Sequence, residues 1–198
     1  MSHSQDNKCQ TVSWAVGDAP LELGPCIAAI GNFDGVHRGH GKVIEAAIDA
    51  ARKAGVAAAA VTFDPHPREF FRHDDVPFCL ADRIEKDRLL AAAGVDRVIH
   101  VTFDDNLRCT DAAAFVTDIL PAIGVTGLFS GSDFAFGRGR GGDIDTINAI
   151  GADIGITATA VPLLSDENSA VISSSRIRAA LQAGEVGQAA TMLGHDWA

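Results

Sequence analysis

Apolar runs and helix-spaced apolar positions alternate along this chain. Cys26–Ile30 is an apolar run closed by a glycine, which predicts a buried strand. From about Gly39 to Ala54, Val43, Ile44, Ala47, Ile48 and Ala51 recur at helical spacing, and Gly55 stands where a left-handed residue ends a helix. Val56–Phe63 predicts a second strand, although its four alanines are poor β-formers. Asp64–Phe78, with three prolines, predicts a loop, Ala81–Ala93 a helix ended by Gly94, and Arg97–Phe103 a third strand. Asp111 is placed to cap a helix reaching about Leu120, with Pro121 near its end. Gly127–Ser130 is a short fourth strand, followed by a glycine-rich loop to Gly142. Asp143–Ile150 predicts a helix, Ile154–Val161 a fifth strand, and Ser173–Ala183 and Glu185–Leu193 two closing helices.

Strands that alternate with helices across linkers too long for hairpins make βαβ units. The expected class is α/β, with a mainly parallel five-stranded sheet covered by helices on both faces. Residues 21–198 read as one domain behind an N-terminal extension, 1–20. Ligands of such sheets bind at the carboxyl ends of strands, near the point where strand order reverses. The loops Gly31–Gly39, Asp64–Pro77 and Gly131–Gly142 each follow a strand and are the expected site loops.

Composition narrows the function. The 198 residues carry a net charge of −10, with 47% hydrophobic and 21% charged residues. That balance argues against a general nucleic-acid binder, which needs a basic face, but leaves room for a local basic pocket. Cys9, Cys26, Cys79 and Cys109 form no CxxC pair, so neither a zinc site nor a disulfide framework is expected. The first eight residues are polar and lack a signal-peptide core, and no apolar run approaches the length of a membrane span. A cytoplasmic protein without a membrane partner is expected.

The chemistry gathers in four segments. His37-x-Gly39-His40 directly follows the first strand and opens a helix. Glycines at 31, 35 and 39 let backbone approach a ligand, the helix start offers unpaired N–H groups, and two imidazoles one turn apart can donate to phosphate oxygens as charge builds. Asp64-Pro65-His66-Pro67 is a turn stiffened by two prolines, in which His66 is either a ligand group or simply a loop histidine. Phe63 ahead of it is either a stacking surface or a core aromatic. Gly131–Asp143 mixes five glycines with Phe134, Phe136, Arg138 and Arg140, a set suited to a ligand that is part ring and part phosphate. Asp143 alternatively caps the next helix. Ser173-Ser174-Ser175-Arg176, with Arg178, opens a helix as an anion cradle, though one serine would suffice as an N-cap.

The first segment resembles the signature of the HxGH nucleotidyltransferases. Three others narrow the likeness: Thr62-Phe63-Asp64-Pro65-His66-Pro67, Gly131-Ser132-Asp133-Phe134-Ala135-Phe136-Gly137-Arg138-Gly139-Arg140-Gly141-Gly142-Asp143, and Ile172-Ser173-Ser174-Ser175-Arg176-Ile177-Arg178. In that order they resemble the FAD synthetase module of the bacterial bifunctional riboflavin kinase/FMN adenylyltransferases, over roughly residues 20–195. Ser175 stands where that family usually has threonine. The resemblance implies a Rossmann-like HxGH nucleotidyltransferase fold and the reaction ATP + FMN → FAD + pyrophosphate, with Mg²⁺ on the phosphates and no metal held by protein ligands alone. It implies catalytic roles for His37, His40, Ser174, Ser175 and Arg178. Gly31, Asn32, Phe33, Gly39, Ser173 and Arg176 are expected at ATP. Phe63, Asp64, Pro65, His66, Pro67, Asp133, Phe134, Phe136, Arg138 and Arg140 are expected at the flavin. No riboflavin kinase module follows, so FMN is expected from a separate riboflavin kinase. The alternatives are a nucleotidyltransferase for another phosphorylated acceptor, or a non-catalytic flavin- or nucleotide-binding remnant.

Overall fold

The computed structural model describes residues 9–71 and 78–197. The polar N-terminal octapeptide and the 72–77 stretch of the proline loop, Pro77 included, lie outside the described residues. Six strands form one sheet: β1 (Gln10–Trp14), β2 (Cys26–Ile30), β3 (Ala57–Asp64), β4 (Arg97–Thr102), β5 (Val125–Gly131) and β6 (Thr157–Val161). Their order is β1-β4-β3-β2-β5-β6 and every pairing is parallel. Five of these are the expected strands. The sixth, β1, comes from the residues read as an N-terminal extension and runs along the free edge of β4.

The sheet alternates faces residue by residue, as the two-residue period of a strand requires. Ala28, Ile30, Ala59, Val61, Ile99 and Val101 face one core, where Phe115, Ile119, Leu120 and Ile147 pack on them. Ala29, Ala58, Ala60 and Val98 face the other, beneath Val43, Ile44, Ala47 and Leu90. The alanine run of β3 is thus a central strand. Its short side chains let helix α1 (Arg38–Ala54) lie close to the sheet, which overrides its weak intrinsic preference. A third, smaller core of Leu80, Ile172, Ile177, Met192 and Leu193 joins the closing helices Ser174–Gln182 and Val186–Leu193 to the rest.

The helix ends follow the expected signals. Gly55 ends α1 at φ 69°. Asp111 and Asp143 cap their helices, accepting from the N–H groups of Ala114 and Thr146 at 2.9 Å. The helix over 112–122 contains a π turn at Phe115–Ile119, in which Leu120 N–H reaches back to Phe115 O. That register shift precedes Pro121, which has no N–H to give. Two short helices, Pro67–Phe71 and Asp105–Cys109, lie in segments that show no helical period. Chain order reverses between β2 and β5: from β2 the sheet grows outward through β3 and β4, and the chain then returns to place β5 on the other side of β2. The carboxyl ends of β2, β3 and β5 therefore surround one crevice.

Candidate active site

The loop leaving β2 is strained and clamped. Phe33 has φ 48° and Val36 has φ 38°. For a β-branched residue this is a true outlier, costing on the order of 1–3 kcal/mol. The conformation is held from inside. Phe33 and Val36 are buried. Gly35, at φ 77°, has Leu80 so close that an added Cβ would sit 2.9 Å from the Leu80 Cβ. Asp34, 2% exposed, accepts from the Leu80 and Ala81 N–H groups at 2.8 and 3.3 Å and pairs with the Arg178 guanidinium at 2.5 Å.

The loop delivers two histidines as a stack. His37 caps α1, its Nδ1 accepting from the His40 N–H at 3.3 Å, and this fixes its proton on Nε2. The two rings lie face to face with centroids 3.6 Å apart, and Phe33 meets His40 edge-on at 5.3 Å. Burial pushes His37 down to about 4, the nearby Asp34 carboxylate opposing it only in part. His40 is pushed well below the usual imidazole range by desolvation and by its neighbours His37 and Lys86. Both rings are therefore neutral near pH 7, a form that can donate a hydrogen bond but carries no charge. Nδ1 of His40 is buried without a partner among the described residues.

Opposite the stack, the helix Ser174–Gln182 presents its N-terminus. Ser173 caps it through the Arg176 N–H, as a simple capping serine would. Ser174 Oγ donates to Asp34 O at 3.0 Å, which ties this helix to the histidine loop. Ser173, Ser174, Ser175 and Arg178 all line the cleft. Both arginines of this run already have protein partners. Arg176 donates to Ala170 O, Val171 O and Asp166, holds the 166–171 loop, and does not line the cleft. Arg178 is 6% exposed and is engaged by Asp34 and by Phe78 O. It braces the loop from within instead of reaching freely for phosphate.

The remaining walls are aromatic. Phe63, at the end of β3, meets Phe103 edge-on, and Phe103 in turn meets Phe70 and Phe71. Phe134 stacks on Phe136, which packs on Phe115. Phe136 is largely a core residue, so of the two rings expected at the flavin Phe134 is the more available. Asp64 and Pro65 do not line the cleft. Asp64 turns to Arg83 at 2.6 Å, and Arg83 also donates to Ser13 Oγ of β1, so the carboxylate secures the edge strand. His66 and Pro67 do line it. His66 is also shifted down by burial. Asp133 and Arg140 line the cleft, whereas Arg138 does not. Gly137 and Gly142 owe their identity to packing: an added Cβ would meet Ala112 within 2.9 Å at either position. The glycine content of this loop is thus partly structural.

These groups share one cleft of about 1120 Å³. Gly31, Asn32, Phe33, His37, Gly39 and His40 form its floor, with the Ser173–Ser175 helix end and the aromatic walls around them. Its arginines are Arg68, Arg108, Arg140 and Arg178, of which Arg108 pairs with Asp105 and Arg178 with Asp34. Several lining residues carry no motif: Arg68, Phe71, Phe103, Arg108 and Phe115. Phe103 could have been found from its position just past the end of a strand, and Arg68 from its place one residue beyond the proline turn. Asp34 was visible inside Gly31–His40, but its partner, 144 residues away, was not.

A parallel α/β sheet with a stacked HxGH histidine pair at its switch point defines a Rossmann-like nucleotidyltransferase fold. A solved structure described as a macrolide-efflux protein from Streptococcus pneumoniae shares the fold, with a TM-score of 0.82, 24% identity, and coverage of 96% of this chain and 72% of that one. The FAD synthetase family model matches residues 20–176. Bifunctional riboflavin kinase/FMN adenylyltransferases of Pseudomonas fluorescens and Escherichia coli K12 are 39% and 37% identical, over 87% and 92% of this chain. An FAD synthetase of Listeria monocytogenes is 34% identical over 86% of this chain and 69% of its own length. The chain belongs to the FAD synthetase family. It spans 55% and 58% of the Pseudomonas and Escherichia proteins.

Proposed function

We propose that this chain is an FMN adenylyltransferase, joining ATP and FMN into FAD with release of pyrophosphate. The observation that carries the reading is the convergence, in one cleft, of the neutral His37–His40 stack, the N-terminus of the helix Ser174–Gln182 and a wall of phenylalanines. The first two suit a polyphosphate and the third a flat ring system. An FMN phosphate oxygen attacks the α-phosphorus of ATP. The bond from that phosphorus to the bridging oxygen breaks, and pyrophosphate leaves with the electron pair. A phosphate monoester with its second pKa near about 6 is already ionised at pH 7, so no protein base is needed. Catalysis then rests on positioning and on donors to the developing charge. His37, through Nε2–H, and His40 supply such donors, with Ser174 and Ser175 at the phosphate end. Phe63, Phe134 and Arg140, with His66 and Pro67, support the flavin.

Among the described residues no group of three or more His, Cys, Asp or Glu side chains could hold a metal ion. Mg²⁺ would ride on the ATP phosphates and lower their charge. No nucleic acid partner is called for. Four free thiols suit a reducing cytoplasm, and no described helix is long and apolar enough to cross a membrane. The test is incubation with ATP, Mg²⁺ and either FMN or riboflavin, with chromatographic analysis of flavins. FAD is expected from FMN, and riboflavin, which lacks the attacking phosphate, serves as the control. Absence of FAD from FMN at saturating ATP would overturn the proposal.

A further inference from the structure

We propose that Arg68 is the catalytic cation that binds the β- and γ-phosphates of ATP and neutralises the departing pyrophosphate. This rests on the adenylyl-transfer reading and adds the residue that takes the leaving group's charge. The reasoning begins with a deficit. Cleavage of the bond to the α-phosphorus moves an electron pair onto pyrophosphate, which must be met by positive charge near the end of the helix Ser174–Gln182. The two arginines of that helix are occupied. Arg176 is bound to Asp166 and to two backbone carbonyls of the 166–171 loop. Arg178 is paired with the buried Asp34, so its charge is already compensated where it sits. Burying such a pair and then drawing it apart would leave Asp34 without its counter-charge, which is strongly unfavourable.

Arg68 meets the requirement. It lies on the short helix after the proline turn and lines the cleft. Its backbone is anchored, since its N–H donates to His66 Nδ1 at 3.0 Å. Its exposed guanidinium extends across to Ser175 Oγ, at 3.3 Å. That contact joins a cation to a neutral hydroxyl at long range. A phosphate would replace it with bidentate bonds between opposite charges. The Ser175 hydroxyl is expected at the same phosphates, so Arg68 already stands beside the position the ligand would fill. The other cleft cations stand elsewhere. Arg108 pairs with Asp105, and Arg140 belongs to the Gly131–Gly142 loop beside Phe134 and Phe136.

The assignment predicts a selective defect. Arg68→Ala should weaken binding of the non-transferable analogue α,β-methylene-ATP, measured by calorimetry with Mg²⁺, by roughly 10- to 100-fold. Binding of AMP, which lacks the two phosphates, should stay within about twofold. Arg68→Lys should recover part of the loss, because it returns the charge without the bidentate fork. In turnover, KM for ATP or kcat should suffer while KM for FMN holds, and inhibition by pyrophosphate should weaken in step. Equal loss for AMP and the analogue, loss confined to FMN, or no loss at all would each overturn the assignment. The side chain is exposed and makes one weak contact, so the variant should fold, and an unchanged melting curve checks this. The binding ratio needs no turnover: a wild-type chain that binds the analogue but makes no FAD would defeat the adenylyl-transfer reading, while the ratio would still decide Arg68.

Discussion

At the scale of single residues, the two histidines differ in what holds them. His37 is built into the helix cap, with its proton assigned by the His40 N–H. His40 keeps a buried Nδ1 without a described partner and rests on its neighbours Phe33 and His37. A donor aimed at a developing charge is worth about 3–4 kcal/mol when removed. His40→Ala should therefore lose roughly two to three orders of magnitude in kcat for FAD formation, measured under FMN and ATP saturation. Near wild-type turnover would remove His40 from the mechanism. The histidines were legible in the sequence because their spacing and their place after a strand carry the meaning. The arginines of the Ser-Ser-Ser-Arg-Ile-Arg run were not. Residues two apart on a helix point to nearly opposite sides, so Arg176 and Arg178 could not share one ligand. Which of them faced the cleft depended on Asp34 and Asp166, both remote in sequence.

At the scale of elements, the edge strand β1 is the unexpected piece. Gln10–Trp14 is short and mostly polar, so it offers little period to read. It is fixed by tertiary partners. Its register on β4 runs from Gln10 opposite Arg97 to Trp14 opposite Val101. Ser13 accepts from Arg83, and Trp14, 4% exposed, packs into the first core and donates to Ala19 O at 3.1 Å. Trp14→Ala should cost about 3–5 kcal/mol of stability, read by urea unfolding. FAD formation by the folded fraction should stay within about twofold, since Trp14 does not line the cleft. A loss of activity without a loss of stability would show that β1 also shapes the site. The central strands were legible, the alanine-rich one included, because continuous burial between two neighbours leaves an unbroken apolar run. The boundaries shifted where caps decide them, as at Asp82, which starts its helix at Arg83 and not at Ala81.

At the scale of the whole molecule, the site couples stability to pH. His37 titrates at about 4 in the folded chain against 6.5 when free. The unfolded chain therefore binds the extra proton throughout that window, and stability falls as pH drops from 6.5 towards 4. Between pH 7.5 and pH 5 this one residue should remove about 2 kcal/mol. His40 and His100, also shifted downwards mainly by burial, act with the same sign. Urea midpoints across that range should show the decline, and His37→Asn should flatten it. An unchanged slope in that variant would mean that other groups carry the effect.

The pairing of Asp34 with Arg178 has a consequence for how the protein is made. The histidine loop leaves the ribosome ahead of the guanidinium that braces it, which lies 144 residues later. At about 5–20 residues per second, translation separates the two by roughly 7 to 30 seconds. During that interval the turn at Val36 has its contacts to Leu80 and Ala81 but not the guanidinium, so the sheet is made before the histidine loop is fully braced. Competence waits on the helix Ser174–Gln182, which is made only after all six strands.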